Sequence, residues 1–425
     1  PRSQGGGAGS EALGPRGGEG AAYWVAQGRS IKVYVYRLPR PLDIDIGSSN
    51  ASRKFPIHGQ QNFLFEAALS RLLRKSRAHR VLDPAQADFF YVPVELAEMS
   101  NALTMGRLKR AWLRSLDNQT ISALRRAGPY WDTMPQRHIF TARKCPGVRG
   151  ESMDFWGFPQ LLRSRKAILL CLEATHKAVK RRTLHVGYYV PGLDFGKPLP
   201  GPQRRDLLAT YMGAPINSYR KQVIGWMESA CHDCRAIDLQ FHGTFSGQTM
   251  YDYHAALMRS RFGIEPPGDT LERMSRDTDV ALGAIPVIFE GPDGKGAEHQ
   301  FLPWQPVLNW SRFSVTFRLS REEAEGRASF TPRLEALLRR LVENGTADRL
   351  YKGLLEARRH LAWTEEGVLS TLMGMLAWKK AAYPLGFPRA NASAQGDAAP
   401  AQGPALARAS NRSLALHGLP REAGA

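Results

Sequence analysis

Apolar residues return along this chain in two rhythms. Strand-like runs stand at Ile31 to Tyr36, where they alternate with polar positions, and at Phe89 to Val94, Lys166 to Leu172, Arg205 to Gly213, Ala236 to Leu239 and Ile285 to Phe289. Helix-like stripes separate them: Phe65, Leu69, Leu72 and Leu73 on a basic segment, then segments within 101–126 and 216–230, and Tyr251 to Met258. Strand and helix in alternation predict parallel sheets with helices on both faces. Pro198, Pro200, Gly201 and Pro202 fall together and divide the pattern. The fold class predicted is therefore α/β, two Rossmann-like doubly wound domains facing a cleft, over residues 31–200 and 201–385. Leu334, Leu337, Leu338 and Leu341, then Leu350, Leu354 and Leu355, place two further helices within 330–362, and Thr364 can cap a last one to about Lys380. Residues 1–30 and 386–425 are rich in Gly, Ala, Ser and Pro and are expected to form a disordered stem and tail.

The stretch from Ser260 to Ile288 reads as strand, turn, helix, strand. Phe262 and Ile264 alternate, Pro266-Pro267-Gly268 ends the strand, and Asp269 with Glu272 three residues later forms a capping-box variant that opens a helix. Free N–H groups at Gly268 to Leu271 and the positive end of that helix favour an anion. Arg273 and Arg276, three apart on one helical face, can add charge-assisted bonds, so a diphosphate is the natural ligand. The helix closes at Gly283, and the unbroken apolar run from Ile285 to Phe289 suits a strand covered on both faces.

Charge and cysteines narrow the picture. A net charge of +19 would suit a polyanion, but the basic residues are scattered, with short clusters only at Arg71 to Arg80 and Lys177 to Arg182. No nucleic-acid module interleaves them with stacking aromatics, so no nucleic-acid partner is expected. Cys231-His232-Asp233-Cys234 is half of a zinc pattern without a second pair, which makes one or two disulfides the better use of the four cysteines. Six of the nine Asn (Asn50, Asn118, Asn309, Asn344, Asn391 and Asn411) begin Asn-x-Ser/Thr, an enrichment that favours a secretory lumen. Asn118 and Asn344 read as the sequons best placed for a glycan, and Asn309, between Leu308 and Trp310, as the most buried. No stretch is long and apolar enough to span a bilayer. The chain opens on Pro1, and a membrane anchor is expected before it.

Several of these segments together resemble the exostosin family of glycosyltransferases. Ser260, Phe262, Pro266, Gly268, Asp269, Thr270, Gly283, Ile285, Pro286, Val287 and Ile288 follow its signature in order and spacing. Asp83-Pro84, Ala87-Asp88 and the Val92-Pro93 strand end, Pro129-Tyr130-Trp131 before His138, and Tyr188 to Gly192 resemble further family segments. So do Arg205 to Gly213, with Tyr211 where the family has Phe, then Leu302-Pro303-Trp304 and Trp310 to Val315. One departure stands out. The family's helix Arg and Asp fall on Ser275 and Thr278, whereas this chain has Arg276 and Asp279, and one residue turns a helical side chain by about 100°.

The resemblance covers residues 31–383 in pieces and implies an inverting glycosyltransferase of the B fold type. It implies a nucleoside diphosphate sugar as the sugar source, of uridine type, and a cell-wall, matrix or proteoglycan glycan as acceptor, in the Golgi lumen. A partner glycosyltransferase is a further candidate. On these positions His138 would serve the acceptor side and Arg205 the diphosphate, with Gly268, Asp269, Thr270, Glu272, Arg273 and Arg276 around the nucleotide sugar. Glu265 and Glu272 could hold ribose or sugar hydroxyls. No Asp-x-Asp follows a strand, and Asp43-Ile44-Asp45 reads as a solvated loop, so neither a cofactor nor a divalent metal is expected. The alternative is a catalytically silent relative that binds glycan or supports a partner, or, less well supported, a basic polyanion binder.

Overall fold

The structure, a computed structural model, describes residues 20–38, 64–94, 110–144, 167–173, 183–190, 192–239, 247–266, 273–291, 302–305 and 307–382. The first half holds α1 (Gly20–Gly28), β1 (Val33–Val35), α2 (Phe65–Lys75), β2 (Arg80–Val81) and β3 (Phe89–Tyr91). Then follow α3 (Arg110–Arg126), α4 (Tyr130–Thr133), β4 (His138–Lys144), β5 (Ile168–Glu173) and β6 (Thr183–His185). Its strands form one parallel sheet in the order β2-β1-β3-β4-β5-β6. Phe90 pairs with His138, and Leu170 pairs with Thr141 and Leu184. Ile168 to Leu172 is buried at every position, the pattern of a strand covered on both faces.

The chain crosses the Pro-rich stretch at 198–202 into β7 (Leu207–Gly213), α5 (Ser218–Ser229), β8 (Cys234–Asp238), α6 (Gly247–Arg259), β9 (Ser260–Glu265), α7 (Met274–Leu282), β10 (Ile285–Glu290) and β11 (Val315–Arg318). These strands make a second parallel sheet in the order β11-β10-β9-β7-β8. The chain thus steps from β7 outward to β8, then returns past β7 to β9. Between β7 and β9 the winding reverses, and in open α/β sheets ligands bind outside the carboxyl ends of the strands at that reversal.

Helices α8 (Arg321–Ala324), α9 (Thr331–Glu343), α10 (Thr346–Leu361) and α11 (Ser370–Ala382) complete the described fold. Ser320 and Glu323 form a full capping box at α8, and Thr364 caps a single π-helical turn, Glu365–Leu369, that leads into α11. Two placements differ from the sequence reading. Residues 20–28 are helical rather than disordered, because α1 packs on α11 with Trp24 buried. A Cβ on Gly28 would stand 2.5 Å from the Gly374 amide nitrogen, so the two backbones meet almost directly. The end of the second half also returns to the first, with Ser76 donating to Glu365 at 2.5 Å and Lys380 pairing with Asp88 at 2.6 Å.

The cysteines and sequons can now be placed. Cys231 and Cys234 are joined in a disulfide, and Cys171 is disulfide-bonded as well. Asn344 is exposed at the end of α9. Asn118 lies inside α3 rather than at a helix end, with the Thr120 of its sequon fully buried. Asn309 is exposed, contrary to the sequence reading, because only its neighbours Leu308 and Trp310 turn inward. Asn50, Asn391, Asn411 and Asp43 to Asp45 lie outside the described residues, and no described helix is long and apolar enough to cross a membrane.

Candidate functional site

At the carboxyl end of β9, Glu265 and Pro266 lead into residues 267–272, so Gly268, Asp269, Thr270 and Glu272 lie outside the described residues. The helix that follows starts at Met274, not near Asp269 as the capping pattern predicts. Arg273 stands before it in an extended conformation (φ −143°, ψ 132°) with no side-chain cap. Tertiary bonds hold it there. Its Nη1 donates to the Pro266 carbonyl at 2.6 Å, its Nε faces the Glu265 carboxylate at 3.1 Å and Ser275 Oγ at 3.3 Å, and Ser275 donates to the same Glu265 oxygen at 2.7 Å. Glu265 is therefore committed to the protein itself, which corrects its expected role on sugar hydroxyls.

The remaining nitrogen of Arg273, Nη2, points to the end of β7, 3.4 Å from where a Cβ on Gly213 would sit. There the Tyr211 hydroxyl folds over Gly213 from the same face of the strand, and the Arg273 guanidinium lies 5.8 Å from the Tyr211 ring centre. Arg220, in the first turn of α5, adds positive charge. Burial pushes the Tyr211 phenol up, against the pull of Arg273 and Arg220. Burial also works against the charge on Arg273, but Glu265 and Tyr211 outweigh it and hold the guanidinium above its ordinary range.

One turn into α7, Asp279 is fully buried and accepts from the Tyr253 hydroxyl at 3.2 Å. Burial, with Glu265 close by, raises its carboxyl well above the usual range. Arg276 is 1% exposed, with its guanidinium 5.8 Å from the Trp310 ring centre. It does not share a helical face with Arg273, which is extended. Ser275 and Thr278, at the family's Arg and Asp positions, bond to Glu265 and the Met274 carbonyl respectively.

The other two predicted residues lie elsewhere. Arg205 is 2% exposed at the amino edge of the second sheet, where it donates to the carbonyls of Pro200, Leu257, Ser260 and Leu282 at 2.7–3.2 Å. The length of β7 separates it from Gly213, about 20 Å at strand rise, so it cannot share a diphosphate with Arg273. Gly283, left-handed at φ 83°, ends α7 there, and a Cβ on it would strike Arg205.

His138 opens β4 at the level of Phe90, in the amino half of the first sheet. Its ring is fully buried, stacks on Phe90 at 4.9 Å and is flanked by Tyr36 and Trp131. Nδ1 donates to the Met134 carbonyl at 3.1 Å and Nε2 accepts from the Tyr36 hydroxyl at 2.8 Å, so neither nitrogen is left for an acceptor hydroxyl. Burial pulls its pKa from 6.5 down to about 4. Because the folded form binds its proton more weakly than the unfolded form, the stabilisation is complete above pH ~6.5 and is lost as pH falls toward ~4. The loss is about 3 kcal/mol. Unfolding free energies measured across that range should show the decline, and His138→Phe should flatten it.

Junction contacts link the two halves. The Tyr188 amide donates to Asp277 at 2.9 Å, the Trp304 amide to the His185 carbonyl at 2.8 Å, and Arg358 to the Asp194, Lys197 and Ala281 carbonyls at 2.8–3.0 Å. Trp304 is buried with a φ of 64°, a strained conformation for a non-glycine residue that this packing imposes.

The Exostosin GT47 domain profile matches residues 27–325, which contain both sheets and the edge around Arg273. The chain belongs to the exostosin GT47 family. Among its relatives, one probable glucuronoxylan glucuronosyltransferase of Arabidopsis thaliana is 26% identical over 67% of this chain and 60% of that protein. A second probable glucuronoxylan glucuronosyltransferase of the same plant is 25% identical over 68% of this chain and 64% of its own. A probable xyloglucan galactosyltransferase, also of Arabidopsis thaliana, is 27% identical over 27% of this chain and 22% of its own. The chain spans rather less than two thirds of the length of the first two.

Proposed function

We propose that this exostosin GT47 chain is an inverting glycosyltransferase that moves a sugar from a uridine diphosphate sugar onto a cell-wall, matrix or proteoglycan glycan in the Golgi lumen. The observation that carries the reading is the coincidence of three features at one strand edge. The winding of the second sheet reverses there, Arg273 offers Nη2 there, and the segment bearing Gly268, Asp269 and Thr270 joins Pro266 to Arg273 there. The relatives are named for glucuronosyl and galactosyl transfer, so the reading commits to the nucleotide and not to the sugar.

In the reaction, an acceptor hydroxyl attacks the anomeric carbon from the face opposite the diphosphate. The bond to the phosphate oxygen breaks, its electron pair leaves with the nucleotide, and the acceptor proton passes to a base. Positive groups already fixed at the diphosphate stabilise that developing charge without reorganising. Arg273 fills this role, held by Glu265 on one side and the Pro266 carbonyl on the other. The chemistry needs no divalent metal in this reading.

Uridine diphosphate at 100 times its dissociation constant should stabilise the protein by about 2.7 kcal/mol, a thermal shift unaffected by chelator. Chelator-sensitive binding would remove the metal-independent part. Sugar transfer or hydrolysis of the bound nucleotide sugar then separates an enzyme from a silent relative. The burial of Arg276 against Trp310 favours that second reading, because it withdraws a cation that the spacing brings near the family's position. A melt that no nucleotide shifts would select it.

A further inference from the structure

We propose that the Tyr211 hydroxyl, lying over Gly213 beside Arg273 and Arg220, donates a hydrogen bond directly to the terminal phosphate of the bound nucleoside diphosphate. The inference rests on the nucleotide-sugar reading above and adds a ligand-binding residue to it. Tyr211 occupies a position where the family pattern has Phe, so its ring satisfies the packing and its hydroxyl is an addition. The residue is 1% exposed, and although the Arg273 guanidinium bears on its oxygen, the hydroxyl proton has no acceptor among the described residues. A buried hydroxyl left in that state is costly unless something else accepts its proton.

The surroundings state what that acceptor is. Arg273 and Arg220 both bear on the Tyr211 phenol, and Arg220 sits in the first turn of the twelve-residue helix α5, whose positive end lies just beyond Gly213. An acceptor placed among two guanidinium groups and a helix amino end is an anion with several oxygens. Glu265 neutralises part of Arg273 from one side, which leaves the Gly213 side as the positive one. Gly213 is part of the arrangement, since any side chain there would displace the hydroxyl.

The test compares the intact protein with Tyr211→Phe and Gly213→Ala, measuring affinity for uridine diphosphate and uridine monophosphate by calorimetry. Tyr211→Phe should weaken the diphosphate about tenfold and the monophosphate little, since only the former carries the terminal phosphate. Its ligand-free melting temperature should fall little, because the lost hydroxyl gives its proton to no acceptor among the described residues. Gly213→Ala should weaken the diphosphate in the same direction. Wild-type protein that binds the diphosphate while Tyr211→Phe binds it equally well would overturn this inference and leave the nucleotide reading standing. Equal weakening of both nucleotides, or a markedly lowered ligand-free melting temperature, would assign the hydroxyl a structural role and also overturn it. If wild-type protein binds neither nucleotide, both readings fall.

Discussion

Replacing Arg273 with Ala should remove uridine diphosphate binding by a factor of ten or more. Charge-assisted bonds contribute about 1.5–3 kcal/mol each, and Nη2 is the atom that faces the end of β7. The same change leaves Glu265 buried without its partner, and breaking a buried pair costs about 3–5 kcal/mol of stability. Affinity must therefore be measured on protein shown to be folded, and Arg273→Lys supplies the companion. Lysine keeps the charge but cannot bond to Glu265, Pro266 and a phosphate in one plane, so affinity should still fall while stability recovers in part. Arg276→Ala should also lower stability, through lost packing on Trp310, but folded protein should bind normally. Loss of binding in Arg276→Ala with Arg273→Ala intact would move the diphosphate to the other face of α7.

How far the sequence carries the fold depends on what each element needs. The strands of both sheets are readable because burial on two faces demands unbroken apolar runs, as at Ile168 to Leu172 and Ile285 to Phe289. The start of α7 is not readable. Asp269 and Glu272 have the spacing of a cap, but Arg273 is pulled into an extended conformation by Pro266 and Glu265, contacts that no local pattern contains. Helix α1 escaped for a related reason. Its Gly- and Ala-rich surroundings look disordered, and its order comes from Trp24 and Gly28 meeting a helix more than three hundred residues later.

The site shows the same division. Ser260 to Ile288 is recognisable as the organising stretch, and Arg273 stands at the expected strand edge. The resemblance puts Arg205 at the start of a strand without saying which end of the sheet a buried Arg serves, and the structure sets it at the amino edge, away from Arg273. For His138, the family position suggested chemistry, whereas its two ring nitrogens are already bonded within an aromatic cage. Tyr211 carried the one sequence signal that could have been pressed further, a hydroxyl added to a position where the pattern asks for an apolar ring.

Arg205→Ala provides the contrasting case. Four carbonyls converge on this one guanidinium, three of them buried (Leu257, Ser260 and Leu282) and one, Pro200, half-buried, which ties the amino ends of β7, β9 and β10 to the linker between the halves. Water can reach few of them once the side chain is gone, and a charged donor is lost together with its acceptors' satisfaction. The expected cost is about 3–5 kcal/mol of unfolding free energy, large enough to dominate chemical denaturation. Gly283 fits tightly against this guanidinium, so Gly283→Ala should lose stability through both its left-handed φ and the collision. Neither change touches the carboxyl edge, so folded Arg205→Ala protein should bind uridine diphosphate within about twofold of wild type. Should Arg205→Ala keep wild-type stability yet lose the nucleotide, the diphosphate would belong at the amino edge after all, and the placement argued from the reversal between β7 and β9 would fail.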